Sequence, residues 1–204
     1  MNREAGIPDV LSAVNVGTLF NSAAERMREQ VAIRYRDKAT FNWVNVTWEE
    51  YQLRVRRIGC ALLERGLKHG DTVAIISNSR LEWVLCDLAI QSIGCITIPV
   101  YQSNMPNEVE YILNHSEVSF VFLEDREQLV KVLEVKDMLP HLEKIVLFEG
   151  KVKEDDELLD SFSRLLSRGK ELEHARSDEY NARLSNVSED DIATICYTSG
   201  TTGP

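Results

Sequence analysis

Eight residues near the carboxyl end, Tyr197-Thr198-Ser199-Gly200-Thr201-Thr202-Gly203-Pro204, form the part of the sequence best equipped for chemistry. The hydroxyls of Thr198, Ser199, Thr201 and Thr202 can turn donors toward the oxygens of an anion. Gly200 and Gly203 permit positive-φ backbone and close ligand approach, so that successive amides can converge on negative charge. Such a loop would hold phosphate. Ser, Thr, Gly and Pro are also the ordinary composition of a surface turn, so residue types alone leave both readings open. Neither the GxxxxGK[ST] loop nor the dinucleotide GxGxxG pattern is present.

The other chemically capable residues are dispersed. Cys60, Cys86, Cys95 and Cys196 lack CxxC spacing and each sits in an apolar run, which predicts small buried hydrophobes rather than metal ligands or disulfides. His69, His115, His141 and His174 have no histidine partner three or four residues away, so no helix-borne metal site is expected. With 204 residues, 44% hydrophobic and 27% charged, the chain can bury a core; its net charge of -10 argues against a nucleic-acid partner, whose phosphates demand clustered Lys and Arg. The first residues, MNREAGIPDVLSAV, do not resemble a signal peptide, and no apolar run approaches the ~20 residues of a membrane span. A cytoplasmic location is expected, with peripheral membrane contact and homodimerisation left open.

The elements that must position the loop follow from hydrophobic spacing. Thr18 to Gln30 predicts a helix capped by Thr18, with Leu19, Ala23 and Met27 on one face. Val31 to Arg36 and Phe41 to Val46 alternate as two strands of a hairpin. Thr47-Trp48-Glu49-Glu50 is a capping box, opening a helix that runs to Gly66. Strand, helix and strand then follow over Val73 to Ser77, Leu81 to Ile93 and Cys95 to Val100. The alternation repeats with helix Asn107 to Asn114, strand Val118 to Leu123, helix Arg126 to Met138 and strand Lys144 to Glu149. Continuous apolar strands joined by helical crossovers predict an α/β fold with a doubly wound, mostly parallel sheet. Gly150 to Glu157 reads as a solvated loop. Asp160 to Arg183 reads as partly helical, anchored by Leu165, Leu166 and Leu172. The stretch IATICYT, residues 192–198, reads as a short buried strand entering the loop.

A glycine-rich loop following a core strand needs chain beyond it for support, so the sequence is expected to be the amino-terminal part of a longer protein. The loop itself resembles the signature YTSGTTGxPKG of the adenylate-forming, AMP-binding synthetases, with Pro204 at the variable position. The resemblance extends back to Thr18. Thr47-Trp48-Glu49-Glu50-Tyr51, Gly70-Asp71-Thr72-Val73-Ala74 and Asn78-Ser79-Arg80-Leu81-Glu82-Trp83 are similar to further family elements. The run from Trp83 to Tyr101 and Asp191-Ile192-Ala193-Thr194 resemble the long-chain fatty-acid–CoA ligase branch. On this likeness residues 1–204 are the N-terminal portion of the AMP-binding domain, with the rest of that domain and a small C-terminal domain lying downstream.

The resemblance implies ATP, Mg²⁺ and coenzyme A as reactants alongside a fatty acid: the acid would be activated as acyl-adenylate and then passed to the CoA thiol. It also implies phosphate contact by Thr198, Ser199, Gly200, Thr201, Thr202 and Gly203, with the Thr198 hydroxyl directed to Mg²⁺. No catalytic residue is assigned within the chain; the adenine site, the acidic Mg²⁺ partner and the catalytic lysine are expected beyond Pro204. About three charge-assisted hydrogen bonds at ~2 kcal/mol each give ~6 kcal/mol, against ~4 to 15 kcal/mol for association and ordering, so these residues alone are expected neither to bind ATP tightly nor to turn over. Ordinary roles compete elsewhere: Trp48, Trp83 and Tyr101 as core or rim aromatics, Asp87 as a cap or solvent-facing side chain, Asp190 and Asp191 as caps of the strand entry. Another acyl- or aryl-CoA ligase of the same superfamily, and a non-catalytic α/β binding module, are the alternative functions.

Overall fold

A computed structural model of the chain describes residues 15–154 and 156–198. A helix α1 (Val16–Arg26) leads into an antiparallel hairpin, β1 (Val31–Arg36) and β2 (Trp43–Thr47). Then come α2 (Trp48–Glu64), β3 (Thr72–Ile76), α3 (Leu81–Ser92), β4 (Ile96–Val100), α4 (Pro106–His115), β5 (Phe120–Leu123), α5 (Arg126–Glu134) with a 3-10 turn at Lys136–Met138, β6 (Lys144–Leu147), β7 (Leu159–Ser161), α6 (Phe162–Leu172) and α7 (Ser177–Asn186). Strands β3 to β7 form one parallel sheet in the order β4-β3-β5-β6-β7.

The pleat sends alternate residues to opposite faces, and both faces are covered. Val73, Ile75, Phe120, Phe122 and Val146 pack with Val55, Ile58 and Leu62 of α2 and Leu85 and Ala89 of α3. Ala74, Ile76, Ile98, Val121 and Leu123 pack with Val109 and Leu113 of α4 and Val132 of α5. The doubly wound expectation is met. The outer layer is tight: α6 crosses α2 so closely that a Cβ at Gly169 would overlap the carbonyl oxygen of Arg57.

Local chemistry sets the element ends. Thr47 Oγ1 accepts from Glu50 N at 3.2 Å and Glu50 Oε2 accepts from Thr47 N at 3.1 Å, the reciprocal box expected at α2. The cap of α1 differs from expectation. Asn15, not Thr18, is the N-cap: its Oδ1 accepts from Thr18 N at 2.8 Å while Thr18 Oγ1 accepts from Asn15 N at 3.2 Å. Starting the helix earlier turns Gly17, Phe20 and Ala24 inward, and Leu19 is exposed. In the hairpin, Asp37 Oδ1 accepts from Thr40 N at 2.7 Å and Phe41 takes φ 58°, which delays the second strand to Trp43. Strand β7, overlapping the start of the stretch read as partly helical, is only three residues long and carries the buried Asp160.

Candidate functional site

The segment leading to the hydroxyl-rich loop lies along the outer edge of β4. Thr97 N donates to Ala193 O at 3.0 Å, Ile195 N donates to Thr97 O at 3.1 Å, and Thr194 Oγ1 donates to the same carbonyl at 2.9 Å. Thr97 and Thr194 thus form one parallel bridge rather than the buried strand predicted for residues 192–198. The reason lies in β4. Its next outward-facing donor position is Pro99, which has no N–H, so the ladder cannot extend. Ile192 and Cys196 are exposed, which also corrects the expectation that Cys196 is buried; Cys60, Cys86 and Cys95 are buried as predicted.

Side chains compensate for the short ladder. Asp191 Oδ2 accepts from Ser188 N at 2.8 Å and pairs with His69 Nε2 at 3.0 Å. The Ser188 amide first, and the His69 ring after it, hold the Asp191 carboxyl below its ordinary range. His69 can reach across because Gly94, at φ 73°, leaves room for the ring; a Cβ there would overlap Nδ1. On the other flank Tyr197 packs edge-on against Tyr111 and His115, and its hydroxyl lies 2.7 Å from His115 Nδ1. The chain is therefore held at Asp191, Thr194 and Tyr197 just before Thr198, which is exposed.

A second constellation sits at the carboxyl ends of β3, β5 and β6. In the order β4-β3-β5-β6-β7 the strand sequence reverses between β3 and β5, the place where open α/β sheets leave a crevice. There Glu124, whose side chain is 8% exposed, accepts from Asn78 N at 2.7 Å and from Asn78 Nδ2 at 2.9 Å. Lys38 reaches Glu149 at 3.0 Å and Glu124 at 3.4 Å, and Arg80 reaches Glu149 at 2.7 Å and Glu82 at 2.6 Å. Burial works to raise the Glu124 carboxyl, but the Asn78 donors and the Lys38 ammonium outweigh it and hold it below the usual range. Three acids face two cations, so the cluster is a self-satisfied clasp joining the hairpin tip to the sheet and not an anion receptor. Sequence reasoning missed Lys38, Glu124 and Glu149. A glutamate directly after the continuous apolar run of β5 was the one available signal, because it must lie at a buried strand end.

The sequence profile described as AMP-binding enzyme matches residues 20–204. The chain belongs to the AMP-binding enzyme family. Among curated relatives in this family, the long-chain-fatty-acid–CoA ligase FadD15 of Mycobacterium bovis is 32% identical over 161 residues, which is 79% of this chain and 25% of that protein. The long-chain-fatty-acid–CoA ligase ACSBG2 of Xenopus laevis is 25% identical over 95% of this chain and 25% of its own length. The chain thus spans about a quarter of these relatives. Among solved structures, coronafacic acid ligase from Pectobacterium brasiliense superposes with a TM-score of 0.75 at 20% identity, covering 90% of this chain and 33% of that one. The anthranilate CoA ligase AuaEII, in complex with anthranoyl-AMP, gives 0.70 at 20% identity over 93% of this chain and 33% of that one. These likenesses establish the fold as part of an AMP-binding domain.

The segments that carried the resemblance have plain roles in the described residues. Thr47 and Glu50 cap α2, Asp71 accepts from Lys68 N at 2.6 Å, and Asn78, Arg80 and Glu82 belong to the clasp. Trp48 and Trp83 pack on the core, whereas Tyr101, expected there or at its rim, is 72% exposed. Asp87 accepts from Gln91 Nε2 at 2.8 Å. Of the candidate phosphate contacts only Thr198 lies among the described residues; Ser199, Gly200, Thr201, Thr202 and Gly203 lie outside them. Mg²⁺ takes near-octahedral oxygen ligands, commonly one or two carboxylates with phosphates and water. Among the described residues there is no group of three or more His, Cys, Asp or Glu side chains that could hold a metal ion.

Proposed function

We propose that the full-length protein carrying this chain is an acid–thiol ligase that activates a long-chain fatty acid with ATP and transfers it to coenzyme A. The observation that carries this reading is the family match running through the hydroxyl-glycine loop to residue 204, together with long-chain ligases among relatives at 25–32% identity. In the first step a carboxylate oxygen bonds to the α-phosphorus of MgATP as the bond to the bridging oxygen breaks, releasing pyrophosphate. In the second the CoA thiolate sulfur bonds to the acyl carbon and AMP departs.

The part assigned to this chain is electrostatic positioning. Ser199, Gly200, Thr201, Thr202 and Gly203 would direct amides and hydroxyls to the β- and γ-phosphates, where charge accumulates as pyrophosphate leaves, and Thr198 would turn its hydroxyl to the Mg²⁺ that ATP brings. Such donors act only if their backbone is already in place, and the attachments at Asp191, Thr194 and Tyr197 support that role by limiting the loop's entry. A panel of acids of increasing chain length, assayed for CoA thioester by mass spectrometry, tests the substrate. Highest kcat/KM with long-chain acids supports the proposal; preference for an aromatic or short acid overturns its long-chain part.

A further inference from the structure

His69 stands on a loop that is pinned on both sides of it. Arg183 of α7 donates to Leu67 O at 3.2 Å, the Cys95 thiol donates to Lys68 O at 3.1 Å, Lys68 N donates to Asp71 Oδ2 at 2.6 Å, and Gly70 N donates to Gly94 O at 2.7 Å. The ring lies against Gly94, where a Cβ would overlap it. The segment it pairs with is held far less. Residues 191–197 meet β4 through the single Thr97–Thr194 bridge, because Pro99 has no N–H to extend it. A segment with so few backbone bonds opens at low cost, and one side-chain contact can change that cost.

The contact between the two is charge-sensitive. Asp191 Oδ2 accepts from Ser188 N at 2.8 Å and lies 3.0 Å from His69 Nε2. A neutral imidazole with its hydrogen at Nε2 offers one hydrogen bond there, whereas imidazolium adds a full charge and about doubles the strength of the bond. Other charges approach from each adjoining element: Lys68 and Asp71 on the same loop, Arg183 on α7, and Glu189 and Asp190 just before Asp191. Asp71 is engaged by the Lys68 amide, and Arg183 by the carbonyls of Leu67 and Ile93. Burial pushes the Cys95 thiol up to about 12, so it stays neutral. His115 of α4 touches the segment too, but at the Tyr197 hydroxyl, a partner without charge. The Ser188 amide first, and His69 after it, hold the Asp191 carboxyl below its ordinary 3.8, so it is ionised throughout the range in which imidazoles titrate.

We propose that His69 is a pH-sensitive tether, fastening residues 191–197 to β4 when its ring is protonated and relaxing that hold when the ring is neutral. The attached segment presents a carboxylate to the ring and the detached segment does not, so protonation and attachment favour each other. The added hold is therefore present below the ordinary histidine range, near about pH 6.5, and fades as pH rises through it. At the acid end it is lost as Asp191 takes up a proton, below 3.8. The inference stands apart from the ligase reading, because attachment of the segment needs no turnover.

The test is hydrogen–deuterium exchange of the full-length protein at about pH 6 and about pH 8, either side of the imidazole range. Mass spectrometry would resolve the Thr97 and Ile195 amides, which donate across the bridge, with each rate divided by that of unstructured chain at the same pH and the β5 amides as internal reference. Relative to β5, protection of Thr97 and Ile195 should be about two- to fivefold greater at the lower pH, the range of a partly exposed ion pair. His69→Gln keeps a neutral donor and Asp191→Asn keeps an acceptor for the Ser188 amide; both should lose this pH response while their β5 amides match wild type. Equal wild-type protection at the two pH values, greater protection at the higher one, or a full response surviving in either variant would each overturn the proposal.

Discussion

Replacing Glu124 by alanine should reveal how strongly the clasp at the carboxyl ends of β3 and β5 holds the sheet to the hairpin. The carboxylate accepts two short hydrogen bonds from Asn78, at 2.7 and 2.9 Å, in a site where its side chain is 8% exposed. Hydrogen bonds to a buried charged group contribute about 1.5 to 3 kcal/mol each, whereas the longer contacts to Lys38 at 3.4 Å and Arg80 at 3.6 Å add little, Lys38 being largely exposed. Glu124→Ala should therefore cost about 3 to 5 kcal/mol, in line with removing one partner of a buried charged pair. Glu124→Gln keeps an acceptor for Asn78 and should cost about half of that. At a urea dependence of about 2 kcal/mol per molar, the alanine variant's midpoint falls by roughly 1.5 to 2.5 M. Acid supplies a second readout. The folded carboxyl is held below its ordinary value of 4.5, so its stabilisation is complete above that pH and is lost as pH falls through the lower folded value. The gap between wild type and Glu124→Gln should stay constant from neutral pH down to about 5 and close under stronger acid. An alanine midpoint matching wild type, or a gap that widens on acidification, would refute the reasoning.

Other consequences are equally open to measurement. Gly169→Ala pushes a methyl against the Arg57 carbonyl where α6 meets α2 and should destabilise the protein by about 1 to 3 kcal/mol in thermal unfolding. Asp191→Asn should loosen the chain entering the loop, so that the Ile195 amide exchanges faster while the β5 amides keep their protection. Mass spectrometry after brief alkylation should find Cys196 modified well ahead of Cys86, whose thiol burial pushes far up, and Cys95, which burial pushes up to about 12. Calorimetry on residues 1–204 should give no micromolar ATP binding, because the loop's few hydrogen bonds do not cover the cost of association. Micromolar affinity there would contradict the estimate.

The parts of the fold written in local sequence were legible. The capping box at Thr47 and Glu50, the buried apolar strands Val73–Ile76 and Phe120–Leu123, and the helices between them need only neighbours within a turn or a crossover. Misreadings arose where distant or competing contacts decided. Thr18 has the chemistry of an N-cap, but Asn15 caps first and also donates through Nδ2 to Val187 O, 172 residues away. The stretch 192–198 has a strand's composition, yet its pairing depends on Pro99 of another strand. Glu124 and Lys38, 86 residues apart, form a contact that no periodicity encodes. The hold on residues 191–197 by His69, Gly94 and Tyr111 with His115 was not legible, because it is a matter of three-dimensional adjacency.

The most direct test of the proposed function is fatty-acid-dependent exchange of labelled pyrophosphate into ATP by the full-length protein, with Thr202→Ala alongside. The account predicts exchange that requires a long-chain acid but not coenzyme A, and that falls at least tenfold in the variant, the effect of losing one donor to the developing charge. Absence of exchange with every carboxylic acid offered would contradict the adenylate-forming claim, and full exchange by Thr202→Ala would remove that residue from the phosphate site.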